Sequence, residues 1–173
     1  MNGLRLIFIF ILFSSCGPPE EVKKMKYVDL KTFFSEEITR LTKQKTYVDK
    51  TVSRNGVSES RNNILPDWES ELSLFIESDI NKPAWSSSYT INNDNSITTY
   101  TAADSKLRTR SIKIKKNTAG EIKTVSIVNM TNNALYSSSE ELSYSPDSLY
   151  QIIKRQDVLF LGNNNYKISG IFK

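Results

Sequence analysis

The stretch Leu107-Arg108-Thr109-Arg110-Ser111-Ile112-Lys113-Ile114-Lys115-Lys116-Asn117-Thr118-Ala119-Gly120-Glu121-Ile122-Lys123-Thr124-Val125-Ser126-Ile127-Val128-Asn129 reads as strand, turn, strand. β-Branched residues alternate with polar ones on both sides of Asn117-Thr118-Ala119-Gly120, whose composition suits a tight reversal. The same grammar runs outward in both directions. Strands are expected at 84–92, 96–103, 107–116, 121–129, 134–144, 149–161 and 166–172. Turn chemistry separates them at Asn92-Asn93-Asp94-Asn95, Asp104-Ser105, Thr131-Asn132-Asn133, Ser145-Pro146-Asp147 and Gly162-Asn163-Asn164-Asn165. Connections this short favour antiparallel neighbours, so the expected sheet is an up-and-down meander.

Within the opening stretch the pattern conflicts with itself. A straight strand puts Arg108, Arg110, Ile112 and Ile114 on one face, and burying the isoleucines would drag two arginines inward. A β-bulge near Arg110-Ser111 adds one residue to the count and removes the conflict. Leu107 and Thr109 then align with Ile112 and Ile114. Arg108, Arg110, Lys113 and Lys115 are expected to share the outer face as candidate contacts for an anionic partner. With Lys106 and Lys116 they form the densest charge block of the chain, six cations with no acid before Glu121.

Upstream of the meander lie two helical patterns. Leu30, Phe33, Phe34, Ile38 and Leu41 fall on one stripe of a helix over 28–44, with Asp29 as N-cap. Trp68, Leu72, Phe75 and Ile76 do the same over 67–78, where Asp67 caps and Lys82-Pro83 follows the end. Between them, 46–53 and 57–61 flank Arg54-Asn55-Gly56 as a hairpin. The class is α+β: two amphipathic helices packed on a curved antiparallel β-meander, one domain over 27–173.

The N-terminus is of another kind. Arg5 precedes the unbroken apolar run Leu6-Ile7-Phe8-Ile9-Phe10-Ile11-Leu12-Phe13, too short for a bilayer span of about 20 residues and right for an export signal. Leu12-Phe13-Ser14-Ser15-Cys16 resembles the lipobox of bacterial lipoproteins. That resemblance implies a signal peptide over 1–15, acylation of Cys16 (a diacylglycerol, with palmitate-like chains) and residence in the cell envelope at the outer membrane. Two or three acyl chains hold stably where one holds weakly, at about 0.8 kcal/mol per buried methylene. Gly17-Pro18-Pro19-Glu20-Glu21 opens a polar tether over 16–26. The order helix, hairpin, helix, meander, with Asp79-Ile80-Asn81-Lys82-Pro83-Ala84-Trp85 and Tyr166-Lys167-Ile168-Ser169-Gly170-Ile171-Phe172, also resembles a group of Bacteroidota lipoproteins. That group carries no activity to transfer to any residue.

Composition narrows the chemistry. The 173 residues carry a net charge of +4, one cysteine and no histidine. An intrachain disulfide and a Cys/His zinc site have no ligands, and the commonest general base is missing. Acidic pairs occur at Glu36-Glu37, Glu69/Glu71 and Glu140-Glu141. The pairs at 36–37 and 69/71 fall on or beside polar helix faces, where a solvated role is expected. Asn92-Asn93-Asp94-Asn95 lacks the spacing of a calcium loop, and no phosphate-cradling glycine loop is present. Trp85, Tyr89, Tyr100, Tyr136, Tyr144, Tyr150 and Tyr166 read as core packing under the helices. No catalytic residue, metal or cofactor is expected. An exported basic stripe would meet anionic headgroups, glycans or an acidic envelope protein, not nucleic acid. The expected function is non-enzymatic, with the sheet as a binding or docking surface. The alternatives are a lipid or small-molecule carrier with an apolar cavity, or an envelope hydrolase using carboxylates.

Overall fold

The computed structural model describes residues 25–173. The signal segment, Cys16 and the tether as far as Lys24 lie outside the described residues. Helix α1 spans Leu30–Gln44 and helix α2 spans Trp68–Glu77. Both expected caps are in place. Asp29 Oδ1 accepts from the Thr32 N–H at 2.9 Å, and Asp67 Oδ1 accepts from the Glu69 N–H at 3.2 Å. Because a cap residue stands outside its helix, each helix begins one residue after its aspartate. α1 ends with Lys45 left-handed (φ 51°), the Lys45 and Thr46 N–H groups closing back on Thr42 and Leu41.

Among the described residues nine strands form one open antiparallel sheet. They are β1 Val48–Arg54, β2 Val57–Ile64, β3 Tyr89–Asp94, β4 Ile97–Ala102, β5 Thr109–Lys116, β6 Ile122–Asn132, β7 Tyr136–Ser145, β8 Leu149–Val158 and β9 Gly162–Phe172. Their order is β2-β1-β9-β8-β7-β6-β5-β4-β3. The meander therefore runs unbroken from β3 to β9, and the early hairpin docks β1 along β9. Asn55 and Gly56 both have positive φ (50° and 87°), the geometry a two-residue hairpin turn with the sheet's twist requires.

One face of the sheet is buried, and the two helices cover it. Ile112, Ile114, Val125, Ile127, Leu142, Tyr144, Tyr150 and Ile152 point at them, as period-2 alternation demands. Phe34 of α1 stands 4.8 Å from the Phe75 ring of α2 and 5.2 Å edge-on from Tyr144. Trp68 packs on Tyr150 and Phe172. Gly170 lies opposite Tyr150 and lets that ring lie flat across the backbone.

Four expectations are corrected. Residues 84–88 are not strand: Pro83–Trp85 is a single 3-10 turn, with Lys82 Nζ 4.3 Å over the Trp85 ring. The reversal between β8 and β9 falls at Leu159-Phe160-Leu161, and Gly162 to Asn165 belong to β9. Register explains this. Centring the turn on Asn163-Asn164 would shift the pairing by an odd count and flip Ile168, Gly170 and Phe172 to the open face.

The third correction concerns the helix carboxylates. Of the two helix pairs, Glu36 and Glu69 alone are solvated. Glu37 accepts from the buried Tyr144 hydroxyl and pairs with Arg40, while Glu71 accepts from Tyr150 at 2.7 Å and pairs with Lys50. Tyr144 and Tyr150 are themselves cross-strand neighbours, so each helix is pinned to the same spot of the sheet. Burial, then the adjacent glutamate, pushes both tyrosine hydroxyls up, so they stay protonated as donors.

The fourth concerns Arg108. The expected bulge is present: Thr109 pairs with Asn129 and Ser111 with Val128, leaving Arg110 as the extra residue. Thr109, Ile112 and Ile114 are buried together, and Leu107 packs against the same core. Arg108, however, does not join the outer face. It reaches under the carbonyl end of α2, to Glu77 O at 3.4 Å and Glu140 Oε2 at 2.7 Å. The negative end of the helix and a buried carboxylate draw it inward.

Candidate binding face

The sheet face away from the helices is open. Register places Thr51, Ser169, Gln151, Ser143, Ser126 and Lys113 side by side in one row across six adjacent strands. Each is polar, and the next outer row holds Ser53, Lys167, Ile153, Glu141, Val128 and Ser111. Short side chains on a twisted sheet leave a broad surface dense in hydroxyl groups. Lys113, Lys115 and Lys167 rise from it exposed. None of the three has an acidic partner within 4 Å among the described residues, whereas Arg155 is tied to Glu141 at 2.5 Å and Lys173 to Asp49 at 2.7 Å.

At the end where β8 turns into β9 the open face hollows into a shallow depression of about 470 Å³. Met130, Ser139, Arg110, Arg155, Asp157 and Asn165 are among the residues that line it. Arg110 donates from Nη1 to Asp104 O at 3.2 Å, and its Nε is buried without a partner. Of the four cations expected on one stripe, Lys113 and Lys115 share the open face and Arg110 borders the depression. Arg108 is on the other side, engaged.

Arg108's partner, Glu140, was not foreseen as a buried group. It is 6% exposed and bonded to Lys154 at 2.9 Å, Arg108 at 2.7 Å and the Asn129 amide at 3.3 Å. Burial alone would push its carboxyl up. The hydrogen bond and charge of Lys154, then the charge of Arg108 and the Asn129 bond, outweigh that and hold it below the usual range. A parity reading of β7 contains the signal, since Ser138, Glu140, Leu142 and Tyr144 fall on one face. The inward members of all three acidic pairs are thus committed to cations of the fold. Among the described residues no cluster of three or more Asp, Glu, His or Cys is placed to hold a metal ion.

No family model matches the chain, and neither a curated protein nor a solved structure does.

Proposed function

We propose that the chain is a lipid-anchored protein of the bacterial cell envelope, held through Cys16, that works without catalysis by docking a partner on its open sheet face. The partner class that fits is an acidic glycan. The observation that carries this reading is the pair of free lysines, Lys113 and Lys115, standing in a field of serine and threonine hydroxyls. Hydroxyls and amides exchange hydrogen bonds with sugar hydroxyls, and spaced cations meet spaced carboxylates. Two further observations favour surface docking over the alternatives. Rings of Phe34, Phe75, Trp68, Tyr144, Tyr150 and Phe172 fill the layer between helices and sheet, where a carrier would keep its cavity. A hydrolase would need two facing carboxylates, and Glu37, Glu71 and Glu140 are instead paired with cations.

The test uses residues 16–173 with Cys16→Ser and a defined acidic polysaccharide, polygalacturonate, as probe. Lys113→Ser with Lys115→Ser is expected to weaken binding about tenfold at low salt and to flatten its salt dependence, with melting unchanged because both side chains are exposed. Equal binding by the double variant would contradict the proposal.

A further inference from the structure

The strongest unexplained feature is an apolar tip. Leu135 in the β6–β7 turn is 65% exposed, and Leu159, Phe160 and Leu161 in the β8–β9 turn are 50%, 95% and 79% exposed. The two turns act as one body, because the Leu159 N–H donates to Leu135 O at 3.0 Å. Asn133 Oδ1 braces its own turn by accepting from the Leu135 and Tyr136 N–H groups. Phe160 is left-handed (φ 69°), a conformation that glycine or asparagine adopts readily and a bulky side chain rarely does. The fold therefore holds an aromatic ring outward at a position where a smaller residue would form the turn with less strain.

From this tip we infer that Leu135, Leu159, Phe160 and Leu161 insert into the surface layer of a lipid bilayer. Three observations select that occupant. First, the four side chains stand half to almost wholly exposed on two turn tips, a protrusion that a fluid apolar layer accepts. Second, it lies at the end of the sheet where the chain enters. Lys26 is bonded to Ser86 O at 2.7 Å and Tyr27 to the same carbonyl, just before β3 starts. In register, β8 runs about four residues past the level of Tyr89 before it turns. Third, the residues behind the tip have the right charge. Arg54, Arg155 and Lys167 stand there against Asp157 and the Glu141 paired with Arg155, a net excess of one positive charge that suits anionic headgroups. The inference rests on the anchoring reading only for where the bilayer lies, since the described chain begins at this end of the sheet.

The experiment removes the anchor so that the tip is tested alone. Residues 16–173 with Cys16→Ser and Phe160→Trp are mixed with vesicles of phosphatidylethanolamine and phosphatidylglycerol at 7:3, or of phosphatidylcholine. The added tryptophan emission is expected to shift to the blue and to be quenched by brominated acyl chains. Phe160→Asp with Leu161→Asp, at exposed positions, is expected to keep wild-type melting and to lower vesicle partition about tenfold or more in both lipids. Lys113→Ser with Lys115→Ser is expected to leave partition into phosphatidylcholine unchanged. An unshifted emission would overturn the inference, as would equal partition by the aspartate variant. Self-association that the aspartates abolish, without vesicle binding, would also overturn it by assigning the tip to a second copy. If Cys16 carries no acyl group in cells and Phe160→Trp still inserts, the anchoring reading fails and the tip inference stands.

Discussion

Gly170→Ala is expected to lower stability by about 3 kcal/mol, although alanine normally improves on glycine inside a strand. A Cβ at this position would sit 2.1 Å from Tyr150 Cε1 and 2.7 Å from Cζ, so the ring must leave its place. Moving it separates the Tyr150 hydroxyl from Glu71 and strips the edge contact with Trp68. Lost packing and a lost hydrogen bond to a charged group each contribute on the order of 1–3 kcal/mol. Urea unfolding of the single and double variants checks this. In a Tyr150→Ala background the same Gly170→Ala change is expected to be neutral or slightly stabilising, because nothing is left to displace. A stabilising effect of Gly170→Ala in the wild-type chain would show that the ring does not occupy this site.

Glu140→Gln is expected to cost about 2 kcal/mol near neutral pH. The amide keeps the shape and leaves Lys154 and Arg108 facing each other without a counter-charge. Both cations are partly exposed and can turn to water, which keeps the cost below that of a fully buried pair. Because the carboxyl is held below its usual range in the folded chain, its contribution is present above the unfolded carboxylate pKa and is lost as pH falls through the folded one. The gap between wild type and Glu140→Gln is therefore expected to close on acidification below about pH 4. A gap that persists at pH 2 would mean the carboxylate charge contributes nothing.

Much of this architecture is written in local chemistry. Asp29 and Asp67 announce helix starts because a carboxylate satisfies free N–H groups wherever it meets them. Asn55-Gly56 announces a hairpin because few residues tolerate positive φ. Even the bulge at Arg110 was legible, since straight pairing would have buried two arginines. What escaped depends on distant partners. Arg108 turns inward because α2 and β7 bring Glu77 O and Glu140 to it, 31 and 32 residues away in the chain. Glu37 and Glu71 look solvated on their helices until the sheet places Tyr144 and Tyr150 beneath them. The apolar tip was hidden by the Asn-rich stretch after it. Turn chemistry favoured Gly162 to Asn165, and the cross-strand fit of Tyr150 to Gly170 and Ile152 to Ile168 decided otherwise. On the candidate face, Lys113 and Lys115 were readable from alternation. The hydroxyl row around them needs the order of six strands, which no local pattern contains.

Photo-crosslinking in living cells tests most directly whether the open face is where the partner docks. A diazirine side chain is placed at Ser126 or Ser143 in the middle of the open face, and at Glu36 or Ser73 on the helix layer. The proposed docking predicts adducts from Ser126 and Ser143 that fade when Lys113 and Lys115 are replaced by serine, with none from the helix positions. Adducts confined to Glu36 and Ser73 would contradict it and move the binding surface to the helices.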